Sequence, residues 1–354
     1  MRNRYRNFPR VLFAVLLLGG CSGGAQDQPE QRQEAAERQE AEQEGRQEEP
    51  EEAAKEEVST PVYIAEGIRK LRVTVGGEEI LQISYEPREY ESSYEYWKIR
   101  IPYGEEAIVD TEAMLKLYHY AEALDFANAA AVPEGCDSGL EGSETAIALE
   151  FCQTNQEERA AAVSGQDYEG ENSPSYQPDA DSSYTLVIGN SNGEGYYYAA
   201  LETNPEQVIL VPEASVNAIL NVDSFGLILK IGAAAEVGTV EQITIDMDET
   251  SYQITAADGK YQFEKKELEE ADYHTLYTEL LSVLIADEIT AEQPAGEEML
   301  LRLYFKRNIE GAADLEIIYH AYDEDYASVQ INGVEKLLVK KEDVEHLKEI
   351  VRNL

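Results

Sequence analysis

Positive charge is scarce in this chain of 354 residues: 28 Lys and Arg stand against 71 Asp and Glu, a net charge of −43 at pH 7. Phosphate backbones are bound by Lys and Arg, so a chain this acidic, with no basic patch in its sequence, repels DNA and RNA, and nucleic acid is excluded as a partner. Cysteine and histidine are also few, at three and four. Neither a CxxC pair nor an HExxH run occurs among them, so no metal site and no metal cofactor is expected. SxxK is missing as well, and the GxSxG spellings at 20–24 and 189–193 fall in the leader and in an expected hairpin, not at the strand-to-helix turn of a nucleophile elbow, which leaves serine chemistry without a local signature. The apolar run at residues 11–18 is roughly half the ~20 residues that a bilayer span needs.

What is present at the N-terminus reads as an address. Arg2, Arg4, Arg6 and Arg10 precede the short apolar run, and Leu18-Gly19-Gly20-Cys21 follows it. That order is the positive, apolar and small-residue pattern of a secretory signal. Its last four residues resemble the lipobox of bacterial lipoproteins. The resemblance implies diacylglycerol on the Cys21 thiol, cleavage before it, and an extracytoplasmic, lipid-anchored protein; the alternative is an ordinary signal with a chance cysteine. Each acyl methylene buried in a membrane contributes about 0.8 kcal/mol, so a multiply acylated cysteine tethers firmly.

Residues 26–57 hold 13 acidic and 4 basic residues and no Ile, Leu, Phe, Tyr or Trp. With nothing to bury, the segment 22–60 is expected to be a disordered or weakly helical tether, extended by its own charge.

The remainder reads as one unit written twice, over 61–232 and 233–354. Val73 and Val75 match Ile243 and Ile245, and Leu81-Gln82-Ile83-Ser84 matches Tyr252-Gln253-Ile254-Thr255. Gly76-Gly77 and Asp258-Gly259 are suited to tight hairpins, whose central residues take positive φ. Asp110 and Asp272 are expected to cap helices over 111–126 and 273–286. Ile147, Leu149 and Phe151 alternate as Leu301, Leu303 and Phe305 do. Both copies end in a strand that runs into a helix, with Val211 and Val216 falling on Val339 and Val344. The expected fold is α+β: two related copies of an antiparallel sheet covered on one face by helices.

Three segments of the first copy, YWKIRIP at 96–102 with the Asp110-led helix, LVIGNSNGEGYYYAAL at 186–201, and VILVPEASVNAIL at 208–220, resemble the bacterial domain-of-unknown-function family 4340 (DUF4340). The likeness covers roughly residues 70–290. One departure is the stretch Cys136 to Gly142, where the family carries a Y-G-L-x-x-P turn. The family has no established activity and lends no catalytic residues. What it implies is context: envelope proteins, commonly encoded beside ABC-type transport systems.

The chemistry-bearing candidates are few. Cys136 and Cys152, in an exported chain, either close a disulfide or stay as two free thiols. His119 and His274 read as structural residues on equivalent helices. The acidic runs at 179–181, 246–249 and 323–325 lack the glycine and distal Glu of a calcium loop. Tyrosine is the abundant aromatic, with 23 against one Trp. Trp97, Tyr196 and Tyr198 are the candidate binding surface, although tyrosine also suits half-exposed strands. The expected function is a non-enzymatic, lipid-anchored envelope protein that uses no cofactor. Its partners would be the membrane, through Cys21, and ABC-type transporter components or other envelope proteins. A solute- or glycan-binding lipoprotein is the alternative, and a secreted hydrolase a third reading.

Overall fold

Gly76 and Gly77 take φ of +59° and +81°, the left-handed values of a two-residue hairpin turn, and fold the first two strands onto each other. The computed structural model describes residues 59–104, 107–126, 131–153, 179–257, 259–290 and 295–354. In it β1 (Ile68–Val75) and β2 (Glu78–Tyr85) form that hairpin, and β3 (Trp97–Ile99) extends it on the β2 side. A helical turn at Arg100–Tyr103 leads to α1 (Thr111–Glu122), whose first turn is closed by Asp110. The Asp110 carboxylate accepts from the backbone N–H of Glu112 at 2.9 Å and of Ala113 at 3.1 Å. Next, β4 (Ala146–Phe151) returns to pair with β1, and β5 (Ser182–Ser191), β6 (Tyr196–Leu201) and β7 (Asn204–Pro212) meander outward into α2 (Glu213–Leu220). The first sheet is antiparallel throughout, in the order β3-β2-β1-β4-β5-β6-β7.

The second sheet is built by β8 (Val240–Met247), β9 (Thr250–Ala257), β10 (Lys260–Phe263), β11 (Lys266–Leu268), β12 (Ile285–Glu288), β13 (Met299–Arg307), β14 (Leu315–Ala321), β15 (Tyr326–Ile331) and β16 (Val334–Lys340). Two helices belong to this part, α3 (Glu270–Leu280) after β11 and α4 (Lys341–Arg352) after β16. Its order is β11-β10-β9-β8-β13-β14-β15-β16-β12, again antiparallel. The protein is therefore a mixed α+β fold of two antiparallel sheets with few helices. Seven adjacent strands of the second sheet, β10-β9-β8-β13-β14-β15-β16, repeat the order of the first, and β11 and β12 are added at its two edges.

Register refines the sequence matching. Val73 lies opposite Leu81 and Ile147, whereas Ile245 lies opposite Tyr252 and Leu303. Val73 thus holds the place of Ile245, not Ile243, and Ile147 that of Leu303, not Leu301. A shift of two keeps every side chain on its face, so alternation alone does not reveal it. Farther along, Tyr197 faces Val211 and Ala327 faces Val339, which sets Val211 and Val339 in corresponding places.

Two helix expectations are corrected. Asp272 does not cap: α3 begins at Glu270 after Glu269, which makes no side-chain cap, and Asp272 lies within its first turn. The helix also stops at Leu280, and Ile285 and Ala286, expected at its end, open β12 instead. Apolar spacing in this stretch suits either state, and pairing with β16 decides it.

Alternation then sorts each strand. Ile147, Leu149 and Phe151 on β4, and Leu301, Leu303 and Phe305 on β13, are buried beneath helices, while the opposite faces carry Lys70, Arg72 and Glu150 on one sheet and Arg302 on the other. Arg302 holds Asp246 and Glu316 at 2.8 Å each, one on either neighbouring strand. The described residues belong to one unit with one continuous core. The segment after α2 bridges back to Val109 through Ile228 and on to Leu284 through Ile231, and the Tyr103 hydroxyl donates to Glu288 on β12. Gly104, at φ +89°, lies so close to β16 that a Cβ there would stand 2.8 Å from Val334. One cavity between the sheets, lined by Tyr103, Ile108, Ile285, Ile331 and Leu337 among others, has a volume of ≈ 10 Å³. That is about one water, too small for a solute.

The disulfide alternative for Cys136 and Cys152 is not realised: both thiols are free, Cys136 exposed and Cys152 buried. The loop carrying Cys136 is fixed near Asn190, which donates its backbone N–H to Ser138 O at 2.7 Å, beside the start of β4. Cys152 follows the end of β4, so the length of the strand, about 20 Å at ~3.3 Å per residue, keeps the thiols apart. Cys152 Sγ donates instead to Asp179 O at 3.2 Å.

Candidate functional site

The hairpin between β5 and β6 is closed by Asn192, whose Oδ1 accepts from the N–H of Glu194 at 2.8 Å and of Tyr196 at 3.2 Å. Three tyrosines leave it. Tyr197 points to the helix side and donates its hydroxyl to Asn217 on α2 at 2.9 Å. Tyr196 and Tyr198 share the opposite face, but Tyr198 is 8% exposed and Tyr196 38%. Tyr196 sits opposite Pro212 of β7, the outermost strand.

The corresponding corner of the second sheet is built the same way with different chemistry. Asp323 Oδ1 accepts from Asp325 and Tyr326 at 2.8 and 2.7 Å. Tyr326, in the place of Tyr196, lies beneath Lys340, whose Nζ is 4.2 Å from the ring centroid and 2.9 Å from the hydroxyl. Pro212 replaces that lysine in the first sheet, and the Tyr196 ring is left open. Residues 160–229 contain no Lys, Arg or His, while 179–229 alone carry seven carboxylates. The segment 179–229 that builds the corner around Tyr196 is thus acidic and aromatic and contributes no cation of its own.

Trp97 does not join it. It packs between Tyr85 (centroids 5.0 Å) and Tyr118 (5.7 Å) on β3, the opposite edge of the sheet. Five strand spacings of about 4.8 Å separate it from β6, ~24 Å. The single surface expected from Trp97, Tyr196 and Tyr198 therefore reduces to Tyr196, with Tyr198 as buried support. Cys21 and the tether to residue 58 lie outside the described residues, as do residues 154–178.

Several groups that chemistry would need are held in internal bonds, although Glu91 Oε2 and the Tyr273 hydroxyl are buried without a hydrogen-bond partner among the described residues. Glu86 is kept below its ordinary value of 4.5 by the fork of Arg100. Glu91 is pushed above it by burial, against the pull of Lys98 at 3.2 Å, and both side chains are almost fully buried. Burial also raises the Cys152 thiol and lowers Lys230. His320 faces Glu335 at 2.9 Å, and Ser328 donates to the same oxygen. His119 lies 3.1 Å from Glu122, and His274 stands edge-on to Tyr261 and Tyr273. Tyr273, stacked on Tyr261 at 4.3 Å, is pushed up to about 12 by burial. Of the acidic runs, Asp246 holds Arg302, and Asp248 takes Lys348 and Arg352 at 3.2 and 3.1 Å. Among the described residues no group of three His, Cys, Asp or Glu side chains is placed to hold a metal ion, and no helix is long and apolar enough to cross a membrane.

One polar cleft of ≈ 220 Å³ opens on the helix-free face of the first sheet, between Lys70, Arg72, Glu150, Thr185 and Glu202. Lys70 and Glu150 pair across it at 3.5 Å. Tyr184, opposite Leu149 on β4, turns its ring to the covered face, where its hydroxyl lies 2.9 Å from that of Tyr63 and the ring packs on Phe126 and Phe151.

Sequence reasoning missed that β7 ends its sheet among the described strands. The signal was the pair of prolines at 205 and 212 around the apolar run 208–211, since proline within sheets is confined to edges and strand ends. Comparison with family models, curated proteins and solved structures found no match.

Proposed function

We propose that this chain is a non-enzymatic, lipid-anchored envelope protein, built as two copies of one α+β unit, that serves as an interaction or accessory module of an ABC-type transport system. The observation that carries the docking role is Tyr196: a ring 38% exposed, on a rigid hairpin, beside an outermost strand and without the lysine that covers its counterpart Tyr326. Exposed aromatics on rigid elements are the usual anchors of protein contacts. The lipobox-like Leu18 to Cys21 supports the anchor, and the resemblance to the family 4340 supports the transport context. The bonding of Glu86, Glu91, Asp246 and His320 to internal partners supports a scaffold over a catalyst.

In cells fed a labelled fatty acid, the wild-type chain is expected to carry label in the membrane fraction and Cys21→Ser to lose both. A photo-crosslinker placed beside Tyr196, at Glu194, should give adducts with a transporter permease or ATPase, and Tyr196→Ala should reduce them about tenfold. An unlabelled wild type, or adducts indifferent to Tyr196→Ala, would sink this reading.

A further inference from the structure

The two copies place side chains of very different size at one shared position. Tyr85 on β2 lies opposite Trp97 on β3, and Ala256 on β9 lies opposite Tyr261 on β10. Leu81 and Tyr252 hold corresponding places, opposite Val73 and Ile245, and Tyr85 and Ala256 each stand four residues farther along the same strand. The surroundings correspond as well. A single helical turn precedes the first strand of each copy, at Ala65–Gly67 and at Val237–Thr239. The residue after β4 or β13, Cys152 or Asn308, donates its N–H to the last carbonyl of that turn, at 2.9 Å in both. In the first copy the Tyr85 ring fills the position, 5.0 Å from the Trp97 ring and 5.0 Å from the Arg69 guanidinium. With a methyl group there instead, the second copy has a cleft of ≈ 180 Å³, lined by Val240, Ala256, Tyr261, Tyr273, His274 and Asn308 among others. A cavity of roughly 150 Å³ admits benzene, so this one has room for a single aromatic ring with a small substituent.

We infer that this cleft is a binding site for a small phenol, whose ring takes the seat that Tyr85 fills in the first copy and whose hydroxyl bonds the polar groups of Tyr273 and Asn308. The walls suit both parts of such a molecule. Tyr261 is stacked on Tyr273 with centroids 4.3 Å apart, and His274 stands edge-on to both, so a further ring joins an aromatic cluster. The Tyr273 hydroxyl is buried and has no hydrogen-bond partner among the described residues, and the Asn308 amide is steadied by its bond to Gly238 O at 3.3 Å. A buried hydroxyl in that condition costs stability that a ligand oxygen would restore. Such binding goes beyond the interaction role and does not depend on Tyr196.

The full chain in detergent is titrated by calorimetry with p-cresol, with toluene, and with a Gly-Tyr-Gly peptide blocked at both ends. p-Cresol is expected to bind one to one and to raise the melting temperature. Toluene, which has the same outline without the hydroxyl, should bind at least fivefold more weakly, and the peptide no more tightly than p-cresol. Ala256→Tyr restores the ring of the first copy and should weaken p-cresol at least tenfold without lowering the melting temperature. Tyr273→Phe should lessen the preference for p-cresol over toluene. If Ala256→Tyr does not fold, Gly238→Leu takes its place, on another wall of the cleft where an added Cβ meets no atom within 4 Å. No binding of p-cresol, or equal binding by the wild type and the filled variant, would overturn the inference. Toluene held as tightly as p-cresol, or a preference unchanged in Tyr273→Phe, would overturn the hydroxyl contact that defines the ligand as a phenol. Peptide binding tenfold tighter than p-cresol would give the seat to a tyrosine of a partner polypeptide and overturn the small-molecule assignment.

Discussion

Glu86 and Arg100 show how a residue pair makes stability depend on pH. Their fork is about one quarter exposed, and the hydrogen bond from Arg100 is the largest influence holding the carboxyl below 4.5. A carboxyl lowered by folding binds more protons unfolded, so stability rises with pH across the window between its folded value and 4.5. The gain is full above 4.5 and is lost as pH falls through the folded value. Glu86→Gln is therefore expected to cost about 1 kcal/mol at pH 7 and progressively less as the pH falls below 4.5 toward and through the folded value. Urea denaturation of both proteins across that range is the check, and a gap that persists in acid would refute the assignment. Glu91 works in the opposite sense: burial raises it, so its ionisation opposes folding as pH climbs, and Lys98 limits that cost.

Asp110 and Asp272 sit before or within helices of matching position, yet only Asp110 bonds backbone donors. At the scale of the element, Asp110→Ala should cost about 1 kcal/mol through the lost cap. Asp272→Ala should cost no more than about 0.5 kcal/mol, the favourable effect of a carboxylate in a first turn. Equilibrium denaturation of the two variants separates them, and equal losses would mean that Asp272 caps in solution after all. The strand β12 belongs to the same scale. Its residues are short and apolar enough for helix or strand, and the edge of β16 makes them a strand.

For the whole molecule, the contacts of Tyr103, Gly104 and Ile108 with β12 and β16 join the sheets into one core. Calorimetry of the full chain should then give a single transition above residue 58, with calorimetric and van't Hoff enthalpies in agreement. A chain ended after Gly232 keeps the first sheet's strands but bares Tyr103, Ile108 and Ile228, and its near-UV circular dichroism should be flat. If that shortened chain melts cooperatively at the temperature of the whole protein, the shared core is not what holds the first sheet. Legibility follows the same lines. Alternation and spacing placed Ile147, Leu149 and Phe151, and the Gly76-Gly77 turn, because each is settled by neighbours in the chain. The two-residue offset at Val73 and the separation of Cys136 from Cys152 were not legible, because they depend on which strand lies alongside.

By itself the sequence determined the acidic character, the α+β alternation, the hairpin at Gly76-Gly77 and the cap at Asp110, since these follow from charge count, period and local backbone bonding. Only the tertiary structure decided that Tyr196 is exposed while Tyr198 is covered, that Trp97 stands at the far edge, and that β12 lies outside β16 whereas β7 is the last strand of its sheet among the described residues. Those outcomes depend on pairing between segments far apart in the chain, where long-range hydrogen bonds and burial, and not local preference, select the conformation.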